Sequence, residues 1–339
     1  MAAAQRHPLH VRRRMLITAS LALGAPWLGA RALAQSAPAE AGYPVRPLRI
    51  VVPYPPGAIN DILARAVADR LQAALGQPVI VDNRGGGGAV IGTQAVAAAA
   101  PDGYTLLQVP AAHVNNASLL ARLPYDSLGS FRFITLAARS PLLLVASDRL
   151  QVRSLPELLA AARRQPGMLA YGSSGNGGAA HVMGEMLKQM AGIEVLHVPY
   201  KGAAAAMTDL MGGRLHFTFA TPAAAGPAVQ AGRARILAVT TRARWSLLPE
   251  VPTIAEEGLA QYDAAAWWGY AAPAGTPDAI VARLNREINA ALRQPALRSA
   301  LAAEGIEPLG TTPQQFAAFV QAEIPRWAEV IRRGGIRAE

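Results

Sequence analysis

Residues 51–61, VVPYPPGAIND, connect the end of an apolar strand to the start of a helix. Three prolines and one glycine lie between the two elements. Proline fixes φ, whereas glycine allows the backbone to turn through the left-handed region. We expect this connection to direct backbone N–H groups outward at the carboxyl end of the strand, where open α/β sheets bind their ligands.

The residues around this connection alternate between short apolar strands and helices. Periodicity and helix end signals predict strands at 48–53, 79–81 and 104–109 and helices at 61–75 and 90–100. The order is βαβαβ. It predicts a parallel sheet with right-handed crossovers.

A second block repeats this order after a polar stretch, 115–132, for which no regular structure is predicted. Ser154 and Glu157 form a capping box that opens a helix ending at 164. The other strands are predicted at 142–146, 169–172, 195–198, 215–219, 235–240 and 267–271. The other helices are predicted at 179–190, 203–211, 227–231, 277–292, 295–304 and 313–332, the last three each opened by proline.

A second glycine-rich connection lies at residues 171–181, YGSSGNGGAAH. Like the first, it leads from a strand into a helix N-terminus, where free N–H groups and the helix dipole favour an anion. One such turn alone is more often a simple chain reversal. Two of them in a two-domain chain predict a clamp on a carboxylate or phosphate in the cleft between the domains.

The N-terminus has the features of an export signal. Arg12, Arg13 and Arg14 precede an apolar run at 15–28, and Ala32-Leu33-Ala34 fits a signal peptidase site, so we predict a signal peptide over 1–34. Export by the Sec or the Tat route remains open. Without cysteine there is no lipoprotein anchor and no disulfide, so we expect a free periplasmic protein.

The charge remaining after residue 34 is small. It comprises 27 basic and 22 acidic residues, a net charge of +5, with no basic run interleaved with aromatic residues. This pattern indicates a solvated surface rather than a nucleic-acid face. The remaining length, about 305 residues, exceeds what one hydrophobic core usually serves, so two domains are expected.

Many short blocks of the chain resemble, in the same order, those of the Bug/TctC family of extracytoplasmic solute receptors. They extend from about Tyr43 to Ile336 and include RPLRIVVPYPPG, GQPVIVDNR, APDGYTLL, YGSSGNGGAAH, HVPYKG, DLMGGRL, LPEVPTIAEEGL and APAGTP. The resemblance implies an α/β, two-lobed Venus-flytrap protein of the type II periplasmic-binding-protein kind, each lobe a doubly wound sheet flanked by helices. It also implies a small carboxylate ligand and, as possible partners, the membrane subunits of a tripartite tricarboxylate transporter.

The same resemblance implies that one loop from each lobe holds the ligand through backbone N–H groups, hydroxyls and waters. The first loop maps to Gly57, Ala58, Ile59, Asn60 and Asp61, and the second to Ser173, Ser174, Gly175, Asn176, Gly177 and Gly178. Further wall positions map to Ala112, His113, His181 and Thr221.

Among the positions that depart from the family pattern, two bear on the ligand. Ala58 replaces a second glycine, and the Ile59 that follows either faces the cleft, favouring an apolar ligand body, or packs under its helix. Ala220 stands where relatives sometimes carry Asp. Without that acid an α-ammonium group lacks its partner, so we expect a carboxylate that has no amine.

We expect lobe one to comprise 43–141 and 264–339 and lobe two to comprise 142–263. The strands at 142–146 and 264–271 would then be the crossovers and act as a hinge. We expect a monomer without cofactor, metal or nucleic-acid partner.

An exported α/β enzyme that uses the same glycine-rich turns is the alternative. For a hydrolase, Gly172–Asn176 would form the nucleophile elbow, but Asn176 replaces the required glycine. For an oxidoreductase, GNGGAA at 175–180 fits a dinucleotide fingerprint that is weak on its own. His113, His181, His197 and His216 lack the spacing of metal ligands.

Overall fold

The computed structural model of the chain describes residues 42–337. The predicted signal peptide, 1–34, lies outside the described residues, as do the last two residues of the expected lobe one. No helix within 42–337 combines the length and the apolar character needed to cross a membrane.

Strands and helices alternate through most of the chain. The strands are β1 (Leu48–Val52), β2 (Val79–Asn83), β3 (Thr105–Pro110), β4 (Phe131–Ser140), β5 (Leu143–Ser147), β6 (Ala170–Ser173), β7 (Leu196–Pro199), β8 (Phe217–Ala220), β9 (Ala234–Val239), β10 (Ala266–Pro273) and β11 (Glu307–Pro308). The helices are α1 (Ile59–Leu75), α2 (Val90–Ala97), α3 (Ala112–Leu119), α4 (Leu155–Arg164), α5 (Ala179–Ala191), α6 (Ala203–Met211), α7 (Pro222–Gln230), α8 (Asp278–Arg293), α9 (Pro295–Ala303) and α10 (Pro313–Arg333).

The strands form two sheets. Sheet one has the order β11-β4-β10-β3-β1-β2, and sheet two has the order β7-β6-β8-β5-β9. The predicted parallel βαβαβ block is confirmed, because β1 pairs in parallel with both β2 and β3. The late strand β10 then inserts antiparallel between β3 and β4, so sheet one is mixed rather than parallel throughout.

The prediction of an irregular stretch at 115–132 is wrong at both ends. Helix α3 begins at Ala112, and β4 begins at Phe131. Asn115 and Asn116 of α3 are both buried, so a polar face points inward and no apolar stripe indicates the helix. Strand β4 finds its partner β10 more than a hundred residues away, a pairing that local sequence does not reveal.

Side chains on the two faces of each central strand enter different cores. Ile50 and Val52 of β1 pack with α1 and α8, whereas Val51 between them faces a second core. The same holds for strand β5. Leu144 packs in that second core, whereas Leu143 packs in a third core under α6 and α7. Burial on both faces explains why these strands are continuous apolar runs rather than alternating patterns.

Helix α10 completes the core that the two sheets share. It packs against β4 and α3 of the sheet-one side and against α5 of the sheet-two side. Phe316 meets the ring of Phe133 edge to face at 5.2 Å, and Gln189 Nε2 of α5 donates to Val330 O at 2.9 Å. One hydrophobic interior therefore includes residues of both sheets.

The chain passes between the sheets at two adjacent points. Each strand expected to be a crossover belongs to one sheet only, β5 to sheet two and β10 to sheet one. The passages are therefore the short segments before these strands. The buried Thr240 connects them, because its Oγ1 accepts the Leu142 N–H at 2.9 Å and its carbonyl accepts the Ala264 N–H at 2.9 Å.

We expect Gly269→Ala to destabilise the protein by about 1–3 kcal/mol, the usual effect of overpacking a core. A Cβ at this position in β10 would overlap the Phe316 ring and lie 2.8 Å from Thr135 O. Gly212→Ala is the control, because its Cβ would come no closer than 3.4 Å to Thr208 O. Urea denaturation measures both variants. Equal midpoints for the two would contradict the close approach of α10 to β10.

Candidate functional site

The first loop, residues 53–58, turns the chain from β1 into α1. Pro53, Pro55 and Pro56 restrict its φ angles, and Gly57 takes a φ of 81°, which glycine adopts readily. Ala58 is the N-cap, with extended backbone and no side-chain cap. The helix thus begins two residues earlier than predicted, so Ile59 and Asn60 belong to its first turn.

Asp61 braces this loop from inside the helix. Its Oδ2 accepts the Gly57 N–H at 3.0 Å and the Arg65 Nε–H at 3.0 Å. Arg65 extends the brace to Asn83 Oδ1 at 3.1 Å, and Asn83 Nδ2 donates to Tyr54 O. The Gly57 N–H is therefore already bonded to a side chain of α1.

The charge of Asp61 is stabilised where it lies. Burial raises the pKa of this carboxyl group, but the hydrogen bonds from Arg65 and Gly57 outweigh burial, and the pKa is lowered from 3.8. The carboxylate form makes the bonds. Its contribution to stability is therefore present above that ordinary value and is lost as the pH falls below it.

Two backbone donors at the start of α1 stay open. The N–H groups of Ile59 and Asn60 precede the first intrahelical bond, and neither has a hydrogen-bond acceptor within residues 42–337. The buried Asn60 Nδ2 has no hydrogen-bond partner there either. These donors, rather than the Gly57 N–H, are available to an anion. Of the two positions left open for Ile59, the structure shows packing under α1, because its side chain contacts the core there.

The second loop, residues 174–178, turns the chain from β6 into α5. Gly175 and Gly177 take φ angles of 136° and 70°, and Gly178 is an N-cap without a side-chain cap. Ser173, at the end of β6, is buried. Its Oγ donates to Gly175 O at 3.0 Å and accepts the Gly175 N–H at 3.3 Å.

Two stacked histidines lie at the base of the second loop. His181 Nδ1 accepts the Gly177 N–H at 3.1 Å, and His197 Nε2 lies 2.7 Å from Ser173 Oγ. The ring centroids are 3.6 Å apart and the planes are inclined by 14°. Burial lowers the pKa of each histidine to about 4, so both rings are neutral at physiological pH.

Helix α3 packs against the second loop. Asn115 Nδ2 donates to Gly177 O at 3.4 Å, and a Cβ on Gly177 would lie 2.5 Å from Leu119. The buried Asn115 Oδ1 has no hydrogen-bond partner among the described residues. Asn115 and His197 were not among the predicted site residues. Their contacts join positions 24 or more residues apart, for which the local sequence carries no signal.

The remaining predicted wall residues have mostly structural contacts. Ala112 begins α3, and His113 is buried with Nε2 2.8 Å from Ser127 O. Burial lowers the pKa of His113 to about 4. Thr221 caps α7 by accepting the Ala224 N–H at 3.3 Å. The exposed Ser174 and Asn176 lie on the second loop itself.

We expect Asp61→Ala to destabilise the protein by about 1.5–3 kcal/mol, because it removes charge-assisted hydrogen bonds from a buried carboxylate. Asp69→Ala on the same helix is the control, since its side chain is 77% exposed and lies 4.0 Å from Arg70. That change should stay within about 0.5 kcal/mol. Chemical denaturation at pH 7 measures both variants, and a loss no larger for Asp61 than for Asp69 would disprove the brace.

The chain matches a known family over most of its length. The family model for the tripartite tricarboxylate transporter family receptor, TctC, matches residues 63–336. Protein BugT of Bordetella pertussis is 39% identical over 297 residues, which cover 87% of this chain and 91% of BugT.

Solved structures are similar over the same extent. R. palustris Rpa4515, solved with adipate, is 39% identical with a TM-score of 0.76, covering 87% of this chain and 99% of that protein. MatC from Rhodopseudomonas palustris, solved with bound malate, is 30% identical with a TM-score of 0.72, covering 85% and 100%. Sequence and fold agree: the chain belongs to the TctC family of solute receptors, with the two-lobed fold of periplasmic binding proteins.

Proposed function

We propose that this protein is a periplasmic receptor for a small dicarboxylate that has no amino group. One carboxylate of the solute binds between the start of α1 and the start of α5, through backbone N–H groups of both helices. The observation that carries the proposal is the pair of open helix N-termini at Ala58 and Gly178, each without a side-chain cap.

Helices α4, α7 and α10 close their own N-termini, whereas α2, α3, α6, α8 and α9 lack a side-chain cap as α1 and α5 do. Ser154, Thr221 and Thr312 each accept a backbone N–H of the helix that they precede. Ala58 and Gly178 have no side-chain acceptor to offer, so the donors of α1 and α5 remain for an anion. Because β1 and β3 are parallel neighbours, α1 and α3 begin at the same edge of sheet one. The bond from Asn115 of α3 to Gly177 O therefore supports a location of the starts of α1 and α5 around one cleft.

The solute class rests on residue chemistry and on the relatives. Thr221 uses its hydroxyl to cap α7, and Ala220 before it provides no acid for an ammonium group. Rpa4515 was solved with adipate and MatC with malate, two dicarboxylates without an amine. Both features favour such acids over aspartate or glutamate.

An exported enzyme has less support. Ser173 and His197 are within hydrogen-bond distance, as a nucleophile and its base would be, but Ser173 is 1% exposed and donates its hydroxyl hydrogen to Gly175 O. His197 bonds Ser173 rather than the exposed Ser174 at the centre of the predicted nucleophile elbow. A binding role therefore accounts better for this loop.

We further propose lobe one as 43–141 with 264–339 and lobe two as 142–263, with bending at the passages beside Thr240. Sheet membership of the strands supports this division. As a monomer in the periplasm, the closed receptor would deliver its solute to the membrane subunits of a tripartite tricarboxylate transporter.

We expect adipate or malate to raise the melting temperature of the protein, because a solute at 100 times its dissociation constant adds about 2.7 kcal/mol to stability. Aspartate and glutamate should cause a smaller rise. A thermal-shift panel of mono-, di- and tricarboxylates, aromatic acids and these two amino acids measures the order. No rise with any carboxylate, together with turnover of an ester or a nicotinamide substrate, would favour the enzyme.

We expect Gly178→Asp to abolish solute binding while the fold stays intact. Gly178 has a φ of −69° and a Cβ there would make only ordinary contacts, so aspartate fits and can cap α5 with its own carboxylate. Gln294→Asp is the matched control, since it adds the same cap to α9, whose N-cap is equally open. Calorimetric titration with malate measures both. Unchanged affinity in Gly178→Asp would place the carboxylate elsewhere.

A further inference from the structure

We propose that His181 and His197 are positioning residues, which hold the second loop in its solute-binding shape while His181 is neutral and release it when His181 gains a proton. The inference rests on the proposed function, because it concerns the loop assigned there to the solute carboxylate. Each ring holds one part of that loop, and the two rings hold each other.

The hydrogen bonds define the proton on each ring. Ser173 gives its single hydroxyl hydrogen to Gly175 O, so the bond with His197 requires a proton on His197 Nε2. His181 Nδ1 accepts the Gly177 N–H and therefore carries no proton, which leaves the proton on Nε2. Through Ser173 and Gly177 the pair fixes both the entry and the middle of the loop.

A proton added to His181 opposes this arrangement. It would occupy Nδ1, turning an acceptor into a donor that faces the donor of Gly177, whereas a proton added to His197 Nδ1 leaves its Nε2 bond to Ser173 intact. A second proton would place two like charges on stacked rings 3.6 Å apart. Protonation of His181 therefore releases Gly177, and protonation of both rings also weakens the stack.

The charged side chains near the two histidines form ion pairs with one another. On α5, Glu185 accepts hydrogen bonds from Lys188 at 2.8 Å and from Tyr171 OH of β6 at 2.9 Å. Tyr171 also lies against the His197 ring.

Helix α10 packs along α5, and its charged side chains are paired with one another. Glu329 pairs with Arg332 and Arg333. Glu323 of the same helix pairs with Arg326, and the buried Tyr262 hydroxyl, ahead of β10, donates to Met183 O.

The expected pH dependence follows from the direction of these pKa values. Burial first, and then the charge of Lys188, lowers the pKa of His181 to about 4. Burial first, and then His181, does the same for His197. Because free histidine titrates near 6.5, the neutral pair holds the loop through neutral pH and loses it as the pH falls towards 4.

A substitution that keeps the hydrogen-bonding atom of a histidine but removes its ring distinguishes a positioning role from a packing role. Asparagine can put its Oδ1 where His181 Nδ1 lies, and glutamine can put its Nε2 where His197 Nε2 lies. At pH 7 we expect His181→Ala and His197→Ala each to weaken malate binding by roughly 2- to 10-fold, the value of one hydrogen bond. His181→Asn and His197→Gln should restore most of that affinity.

The acid range provides a second measurement. Between pH 7 and pH 3.5 we expect the malate dissociation constant of the wild type to rise about fourfold more than that of the His181→Asn/His197→Gln double variant, as one group with a pKa near 4 predicts. The ratio of the two constants cancels the protonation of malate itself. His216→Asn is the matched control, because His216 Nδ1 accepts the Ala170 N–H at 2.9 Å outside the loop, and affinity should not change.

Hydrogen exchange distinguishes failure of this inference from failure of the proposed function. If neither malate nor adipate binds the wild type, the solute assignment fails, but the amides of 174–178 should still exchange faster in the alanine variants and normally in the asparagine and glutamine variants. Equal exchange in alanine and conservative variants overturns the positioning role. An acid loss of affinity that is the same in the wild type and the double variant also overturns it.

Discussion

A helix cannot satisfy its own first N–H groups, and this constraint organises the candidate site. The acceptors for these groups lie outside the helix and come from a capping side chain, from water or from a ligand. Where the chain places Ser154, Thr221 or Thr312 before a helix, the side chain supplies the acceptor. At α1 and α5 it places Ala58 and Gly178 instead, and no capping side chain accepts these donors.

The two loops achieve their shapes by different means. The first is held by an internal anion, since Asp61 takes the Gly57 N–H and is itself held by Arg65. The second is held by neutral groups, the hydroxyl of Ser173 and the rings of His181 and His197. Acid therefore acts on them differently. Protonation of Asp61 neutralises the carboxylate that holds the first loop, whereas protonation of the histidines adds positive charge next to the second loop.

The sequence predicted most of what local patterns encode. The βαβαβ block, the glycine turns and the helices after them are properties of neighbouring residues, and the structure has them close to the predicted positions. Helix α3 was missed because it turns Asn115 and Asn116 inward, which removes the apolar stripe on which helix prediction depends. The contacts of His197 with Ser173 and of Asn115 with Gly177 depend on tertiary packing, and no local sequence pattern predicts them.

The packing of α10 has a consequence for the order in which the protein is made. Phe316 and Trp327 complete the interior that both sheets share, and they belong to α10, which follows the strands of both sheets along the chain. Before α10 is made, apolar side chains from both halves face water, and the energy of their burial cannot be gained. The two sheets therefore gain this part of their stability only once α10 has been synthesised, and a nascent chain that still lacks α10 is easier to unfold.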